Sequence, residues 1–170
     1  AARALEAAHG RGIVHSELTP SKLVFGEDAR LRIADVAMAQ LLGAEAWSEP
    51  ATVATHVARY ASPEQALGLD VDEKTDVYAL SLCLIESITG KVPFYDTSEV
   101  LVCMKHLEAP PPDPATLTAL CDQQLRGVIL RCLAKKPDER FAAGGDLAQA
   151  LEAAPSGNVT VIRGSSGAAS

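Results

Sequence analysis

Apolar residues recur at helical spacing in five stretches of the chain. The first is rich in alanine, carries Leu5 and Ala8 on one face and stops at Gly10. Residues 75–89 are apolar on nearly every side, which predicts a helix buried in the middle of the domain that ends at Gly90. The other three helices are predicted to run from Thr97 or Ser98 to Leu107, from Asp122 to Ala134 and from Gly145 to Ala153.

Two short runs have the pattern of strands. Residues 23–25 and 31–33 are separated by a segment that begins with Gly26, which predicts a small hairpin. Residues 38–59 show weak periodicity, so we expect an extended or mobile segment there. Prolines at 110, 111, 112 and 114 predict an extended connector. The pattern therefore predicts a mainly α domain over residues 1–154, and the Ser- and Gly-containing residues 155–170 read as a flexible linker or tail.

Composition narrows the class of protein. A chain of 170 residues with 48% hydrophobic residues fits one soluble domain with its own core. With 15 basic and 22 acidic residues and no basic block, we expect no nucleic-acid partner and no electrostatic membrane binding. The apolar run from Val77 to Ile88 is too short to span a bilayer, so no membrane segment is expected. Cys83, Cys103, Cys121 and Cys132 lack metal-binding spacing, which predicts reduced thiols in a cytoplasmic protein.

The chemistry-bearing stretch is residues 15–22, His-Ser-Glu-Leu-Thr-Pro-Ser-Lys. It resembles the catalytic loop of eukaryotic-type protein kinases, His-Arg-Asp-Leu-Lys-Pro-Glu-Asn. Further segments resemble other landmarks of that family in the expected order: Ala34-Asp35-Val36-Ala37, Ser62-Pro63-Glu64-Gln65-Ala66, Thr75-Asp76-Val77-Tyr78-Ala79-Leu80 and Lys136-Pro137-Asp138-Glu139-Arg140-Phe141. The sequences of residues 62–66 and 89–94 are similar to the corresponding segments of bacterial Hanks-type serine/threonine kinases.

The resemblance implies the C-terminal lobe of a kinase, a helical bundle with a small β-hairpin. The N-lobe, with its glycine-rich loop and phosphate-pairing lysine, would precede Ala1. Because the chain begins without Met and inside a helical pattern, we expect it to be a piece of a longer protein. ATP and Mg²⁺ are the cofactors that the resemblance implies for that longer protein. A protein partner is also expected.

Some landmark residues resemble the family's scaffold. His15 would pack under the metal-binding turn and bond to backbone there. Glu64 and Arg140 resemble a partly buried ion pair that joins the activation segment to the C-terminal helices. Asp76 would accept backbone N–H groups of the catalytic loop, and an N-terminal helix cap is its alternative role.

The positions that resemble the family's chemical residues are changed. Glu17 stands where the family has its aspartate base, and Thr19 replaces a lysine that contacts the transferring phosphate. Lys22 replaces the asparagine that ligates magnesium, and an ammonium group has no acceptor for a metal. Its positive charge either takes the place of the second metal ion beside the phosphates of the nucleotide, or Lys22 is a surface lysine without a role. Asp35 retains the carboxylate that resembles the family's metal ligand, and Val57 replaces a threonine of the same polar cluster.

Two other changes affect activation-loop pairing and the metal-binding turn. Ser16 replaces the arginine that pairs with a phosphorylated activation loop, so we expect no such switch through Ser48, Thr52 or Thr55. Ala37 replaces a glycine and restricts the metal-binding turn.

These changes favour one hypothesis and leave two open. The favoured one is a pseudokinase, a kinase-like regulatory or protein-interaction module with little or no phosphoryl transfer. A competing hypothesis is a divergent serine/threonine kinase with Glu17 as base, Asp35 as the only metal ligand and Lys22 neutralising phosphate charge. The third is a truncated fragment without a role of its own, which would expose apolar surface.

Overall fold

The computed structural model describes residues 1–36, 58–111, 117 and 121–154. Within them the fold is mainly helical, with one two-stranded antiparallel sheet, as the apolar pattern predicts. The elements in chain order are α1 Ala2–His9, β1 Leu23–Phe25, β2 Leu31–Ile33, α2 Pro63–Ala66, α3 Glu73–Thr89, α4 Glu99–Glu108, α5 Gln123–Cys132 and α6 Gly144–Ala153, with short 3₁₀ turns at Pro20–Lys22 and Pro137–Glu139. No helix of the described ranges is both long and apolar enough to cross a membrane.

Helix α3 is the centre of the domain. The Asp72 carboxylate accepts a hydrogen bond from the Lys74 amide at the start of this helix, and Gly90 ends it with a positive φ of 69°. Its middle is buried on all sides because α1, α5 and α6 pack against it. The sequence therefore predicted its end at Gly90, while its start lies two residues earlier than predicted.

Two clusters of buried side chains flank α3. One is formed by residues of α3 and α5 and of the segments next to them, and it contains Tyr60, Tyr78, Leu82, Cys83, Ile85, Ile88, Phe94, Leu117, Cys121, Ile129 and Leu133. The other joins α1, α6 and the segment after α1, and it contains Ala2, Leu5, Leu18, Val77, Ala79, Leu80, Cys132, Phe141, Leu147 and Ala148. The second cluster lies beneath the loop of residues 15–22 and supports it through Leu18, which is fully buried.

Helices α1 and α6 approach each other closely at Gly144. A Cβ at this position would lie 2.5 Å from the Leu5 Cβ and 2.7 Å from the Glu6 backbone nitrogen. Such distances are far below van der Waals contact, so only glycine fits without a shift of one helix. The first residue of α6 is thus fixed against the middle of α1.

The hairpin pairs Leu23 with Ile33 and Phe25 with Leu31. The ladder continues one residue further, because the Ala34 amide donates to the Lys22 carbonyl at 2.8 Å. A turn that contains Ala29 at a positive φ of 58° connects the strands. The hairpin therefore sets the end of the loop at Lys22 opposite the turn that begins at Ala34.

Some local expectations differ from the structure. Helix α1 ends at His9, but Gly10 stays right-handed at φ −62°, and Gly12 is the residue with a positive φ, 70°. The short helix α2 was not predicted. It forms because Ser62 and Gln65 make a reciprocal capping box around Pro63. The predicted mobile segment lies mostly in residues 37–57, outside the described residues, as does the predicted tail of residues 155–170.

Candidate active site

The loop of residues 15–22 is anchored from below by Asp76, in the first turn of α3. One carboxylate oxygen accepts the His15 amide at 2.8 Å, and the other accepts the Ser16 amide at 2.8 Å. The Asp76 side chain is fully buried, so these bonds compensate for its lost hydration. The alternative role for Asp76, an N-terminal helix cap, is wrong: Asp72 caps α3.

His9 extends this anchor to the start of α6, and this role was not predicted from the sequence. Its Nδ1 accepts the Gly144 amide at 3.0 Å, so Nε2 carries the proton and donates to the Asp76 carboxylate at 2.9 Å. One imidazole thereby connects the start of α6 with the carboxylate that holds the loop. The available signal was a histidine on the same helix face as Leu5 and next to Ala8.

His15 connects the loop with the turn after β2. Its Nδ1 accepts the Glu17 amide at 3.3 Å, and its Nε2 donates to the Ala34 carbonyl at 3.0 Å. Next to it, Ser16 has a φ of 65°, a left-handed conformation that is uncommon for residues other than glycine. The contacts of the buried His15 are to backbone, so they orient the loop rather than present a base.

Glu17 and Thr19 occupy different environments. The Glu17 side chain is partly exposed, and in the described part of the chain its carboxylate has no hydrogen-bond or ion-pair partner. Thr19 is only 4% exposed, and its hydroxyl lies 2.8 Å from the Ser21 hydroxyl. Of these two positions, only Glu17 offers a polar group that has no partner among the described residues.

Lys22 lies against Asp35, with its ammonium in a hydrogen-bonded ion pair with the carboxylate. Both side chains reach solvent, at 30% exposure for Lys22 and 50% for Asp35. The hydrogen bond and charge of Lys22, with a smaller contribution from His15, lower the pKa of the Asp35 carboxyl. Asp35 itself has a φ of 57°, so the turn that carries it is left-handed at this residue.

The side chains of Lys22 and Asp35 do not form a suitable ligand set for a magnesium ion. Mg²⁺ requires oxygen ligands, and the carboxylate of Asp35 is already occupied by a cationic donor that has no acceptor. No cluster of three or more His, Cys, Asp or Glu side chains with metal-binding geometry occurs in residues 1–36, 58–111, 117 and 121–154.

Glu64 and Arg140 are brought together in the interior. Arg140 donates from Nη1 to one Glu64 oxygen at 2.7 Å and from Nη2 to the other at 2.8 Å. Thr75 donates a third hydrogen bond to Glu64, also at 2.7 Å. Burial raises the pKa of Glu64, but the hydrogen bonds from Arg140 and Thr75 outweigh it, so this pKa lies below its ordinary value.

Gln65 ties α2 to the loop and was also missed. Its side-chain amide donates to the Ser16 carbonyl at 2.6 Å, while its carbonyl oxygen accepts the Ser62 amide at 3.0 Å. The spacing of serine and glutamine at 62 and 65 is the capping-box pattern that could have revealed the helix. The predicted site residue Val57, together with Ala37, Ser48, Thr52 and Thr55, lies outside the described residues.

A loop held by a buried carboxylate of the central helix, beside a buried Arg–Glu pair, places this fold in the class of protein-kinase-like lobes. The family model described as a protein kinase domain matches residues 1–152. The chain therefore belongs to the protein kinase family, as the resemblance of its motifs predicted.

Curated relatives of the chain are bacterial serine/threonine-protein kinases. Pkn1 of Myxococcus xanthus is 35% identical over 162 residues, which cover 93% of this chain and 23% of that protein. PknB of Mycolicibacterium smegmatis is 34% identical over 148 residues, 86% of this chain and 24% of that protein. PknA of Mycobacterium tuberculosis is 35% identical over 156 residues, 91% of this chain and 35% of that protein. The chain thus spans about a quarter to a third of the length of these relatives.

Proposed function

We propose that this chain is part of a serine/threonine kinase-like domain that acts as a regulatory or protein-interaction module, with little or no phosphoryl transfer. The observation that carries the proposal is the environment of Thr19. This residue stands at the position of a phosphate-contacting lysine, yet it is buried and bonded to Ser21. A short hydroxyl side chain held inside the loop does not supply a positive charge to a transferring phosphate.

The position of the base supports the same proposal. Glu17 has one methylene more than aspartate, while the backbone of its neighbour Ser16 is fixed by Asp76 and Gln65. The backbone therefore has little freedom to compensate for the longer side chain. A displacement of about 1 Å of a catalytic group can reduce the rate by roughly 100-fold.

The retained anchors explain why a loop without the usual chemistry keeps its shape. The lobe is held by buried contacts of Asp76, His9 and the Glu64–Arg140 pair. These contacts do not involve the side chains of Glu17 or Lys22. The loop surface can therefore change while the lobe stays folded. Such a lobe is suited to binding a protein partner. We also propose a cytoplasmic location, because its cysteines are unpaired thiols.

An active kinase is the second candidate function. The free carboxylate of Glu17 favours it, because a base must be accessible to the substrate hydroxyl. The names of the relatives, all serine/threonine kinases, agree with it. In this alternative ATP is the phosphoryl donor and a protein hydroxyl is the acceptor.

The test is transfer of labelled γ-phosphate by the full-length protein to itself and to a generic protein acceptor. We expect no transfer above the level of Glu17→Ala. A triple variant, Glu17→Asp, Thr19→Lys and Lys22→Asn, restores the family's residues on the same scaffold and is the matched control. Transfer by the unaltered protein that Glu17→Ala abolishes would establish the active kinase and refute the proposal.

A further inference from the structure

The surface at Lys22 and Asp35 is built by three separate backbone constraints. The 3₁₀ turn at Pro20–Lys22 directs the chain into β1, and the Ala34 amide bonds to the Lys22 carbonyl at 2.8 Å. His15 bonds to the Ala34 carbonyl at 3.0 Å from the other side. Both ends of the ion pair therefore stand on backbone whose position is fixed by the hairpin and by the loop.

The left-handed turn contributes to the same contact. Asp35 has a φ of 57°, in the left-handed region that residues other than glycine adopt uncommonly and aspartate more often than most. In this conformation its carboxylate meets the ammonium of Lys22. Lys22 has no other side-chain partner in the described part of the chain, so Asp35 is its only fixed counter-charge there.

We propose that the ammonium group of Lys22 occupies the Asp35 carboxylate and thereby prevents divalent metal ions from binding to it. An ammonium group neutralises the carboxylate as a metal ion would, but it adds only donors and repels a second cation. A magnesium or manganese ion would have to displace Lys22. In the described part of the chain it would then find one half-exposed carboxylate that belongs to no cluster of three or more His, Cys, Asp or Glu side chains.

Exclusion of metal ions by Lys22 would explain how the loop of the proposed regulatory module does without a metal ion. It rests on the proposed function only for this explanation. Its consequence is specific to the residue at position 22. Asparagine there would replace a repelling cation by an amide oxygen that can ligate a metal. Metal affinity should therefore be gained, rather than lost, by a single substitution.

The experiment is a titration of the chain with Mn²⁺ alone, followed by paramagnetic broadening of backbone amide signals in NMR spectra. Mn²⁺ is the probe because it prefers the same oxygen ligands as Mg²⁺. We expect Lys22→Asn to show broadening that is strongest at residues 21–23 and 34–36, at a Mn²⁺ concentration about 10-fold lower than the unaltered chain requires. Adding Asp35→Asn to this variant should abolish the gain.

Lys91→Asn is the matched control, because it removes the same charge beyond the far end of α3, whose last residue lies about 20 Å from Asp76 along the helix axis. It should behave like the unaltered chain. Two results would overturn the proposal. One is binding of Mn²⁺ at Asp35 by the unaltered chain with the affinity of Lys22→Asn, and the other is no gain in Lys22→Asn. Both readouts are independent of phosphoryl transfer, so failure here and failure of the proposed function are distinguishable.

Discussion

Arg140 and Glu64 form a bidentate ion pair that joins positions 76 residues apart in the chain. The Arg140 side chain has no exposed surface, and it also donates to the Ala134 and Lys135 carbonyls at 2.8 and 3.1 Å. The pair thus connects α2 to the segment that precedes α6. Its planar donor geometry is specific to arginine.

We expect Arg140→Ala to lower the free energy of unfolding by about 3 to 5 kcal/mol, because it leaves the Glu64 carboxylate buried without its partner. Urea denaturation followed by circular dichroism measures this. Asp138→Asn, which alters the exposed Lys74–Asp138 pair, is the control and should leave the unfolding midpoint unchanged. Equal effects of the two variants would contradict the assigned importance of the buried pair.

Asp76→Asn should loosen the loop selectively. The amide replaces one acceptor oxygen by a donor that would face an N–H group, at a cost of about 1 to 3 kcal/mol. Hydrogen exchange of the His15 and Ser16 amides should accelerate more than that of the amides within α3. Asp72→Asn keeps a capping side chain at the start of α3 and should not change these two amides. Unchanged exchange at His15 and Ser16 in Asp76→Asn would show that the carboxylate does not hold the loop.

Two helical glycines should respond in opposite directions to alanine. At Gly127 a Cβ meets nothing within 4 Å, so Gly127→Ala should stabilise the chain by about 0.5 to 1 kcal/mol through helix propensity. At Gly144 a Cβ would collide with Leu5, so Gly144→Ala should destabilise it by about 1 to 3 kcal/mol. Thermal unfolding of the two variants side by side measures the difference. A stabilising Gly144→Ala would refute the close approach of α1 and α6.

His106 should make the stability depend on pH on the acid side. Burial first, and then the charge of Lys135, lower the pKa of His106 from 6.5 to about 4 in the folded chain. Between these values the unfolded chain binds the proton more strongly, so the free energy of unfolding is fully retained above pH 6.5 and falls as the pH drops towards 4. The loss from this group is about 3 kcal/mol.

Denaturation curves from pH 7.5 to 4.5 measure this loss. His106→Gln removes the titrating group but keeps a polar side chain near the Tyr78 hydroxyl, which lies 3.0 Å from Nδ1. Its stability should vary less with pH than that of the unaltered chain. The depressed pKa of Glu64 also lowers stability at acid pH, but that contribution is common to both proteins and cancels in the comparison. Parallel pH profiles would exclude His106 as the source.

The cysteines should differ in reactivity. Burial raises the pKa of Cys83 and of Cys132 to about 12, so neither forms the reactive thiolate near neutral pH. Cys103 is partly exposed, although burial and Glu99 raise its pKa as well. Alkylation followed by peptide mass spectrometry should therefore find Cys103 modified first, and Cys103→Ser should remove this early product. Early modification of Cys83 or Cys132 in the folded chain would contradict their burial.

The sequence predicted the helices well because their apolar spacing is local information. The period around Leu5 and the all-round apolar pattern of residues 75–89 require no knowledge of distant contacts. The predicted hairpin is also present, since its turn residues and strand patterns are adjacent in the chain.

The links between distant segments were harder to predict. His9 is an ordinary residue of an amphipathic helix until the fold brings Asp76 and Gly144 to its two nitrogens. Pairing of Lys22 with Asp35 depends on strand register, which the sequence does not state residue by residue. Glu64 and Arg140 were connected only through the motif resemblance, because nothing in their local sequence indicates a contact between them.

The hairpin has a consequence for how this surface can vary. Lys22 stands opposite Ala34 only because the segment from 26 to 30 has the length that pairs Phe25 with Leu31. Insertion or deletion of one residue in this turn would shift every pair by one position and turn the side chains to the opposite face. The length of the turn, more than its composition, therefore decides whether the charges at 22 and 35 meet.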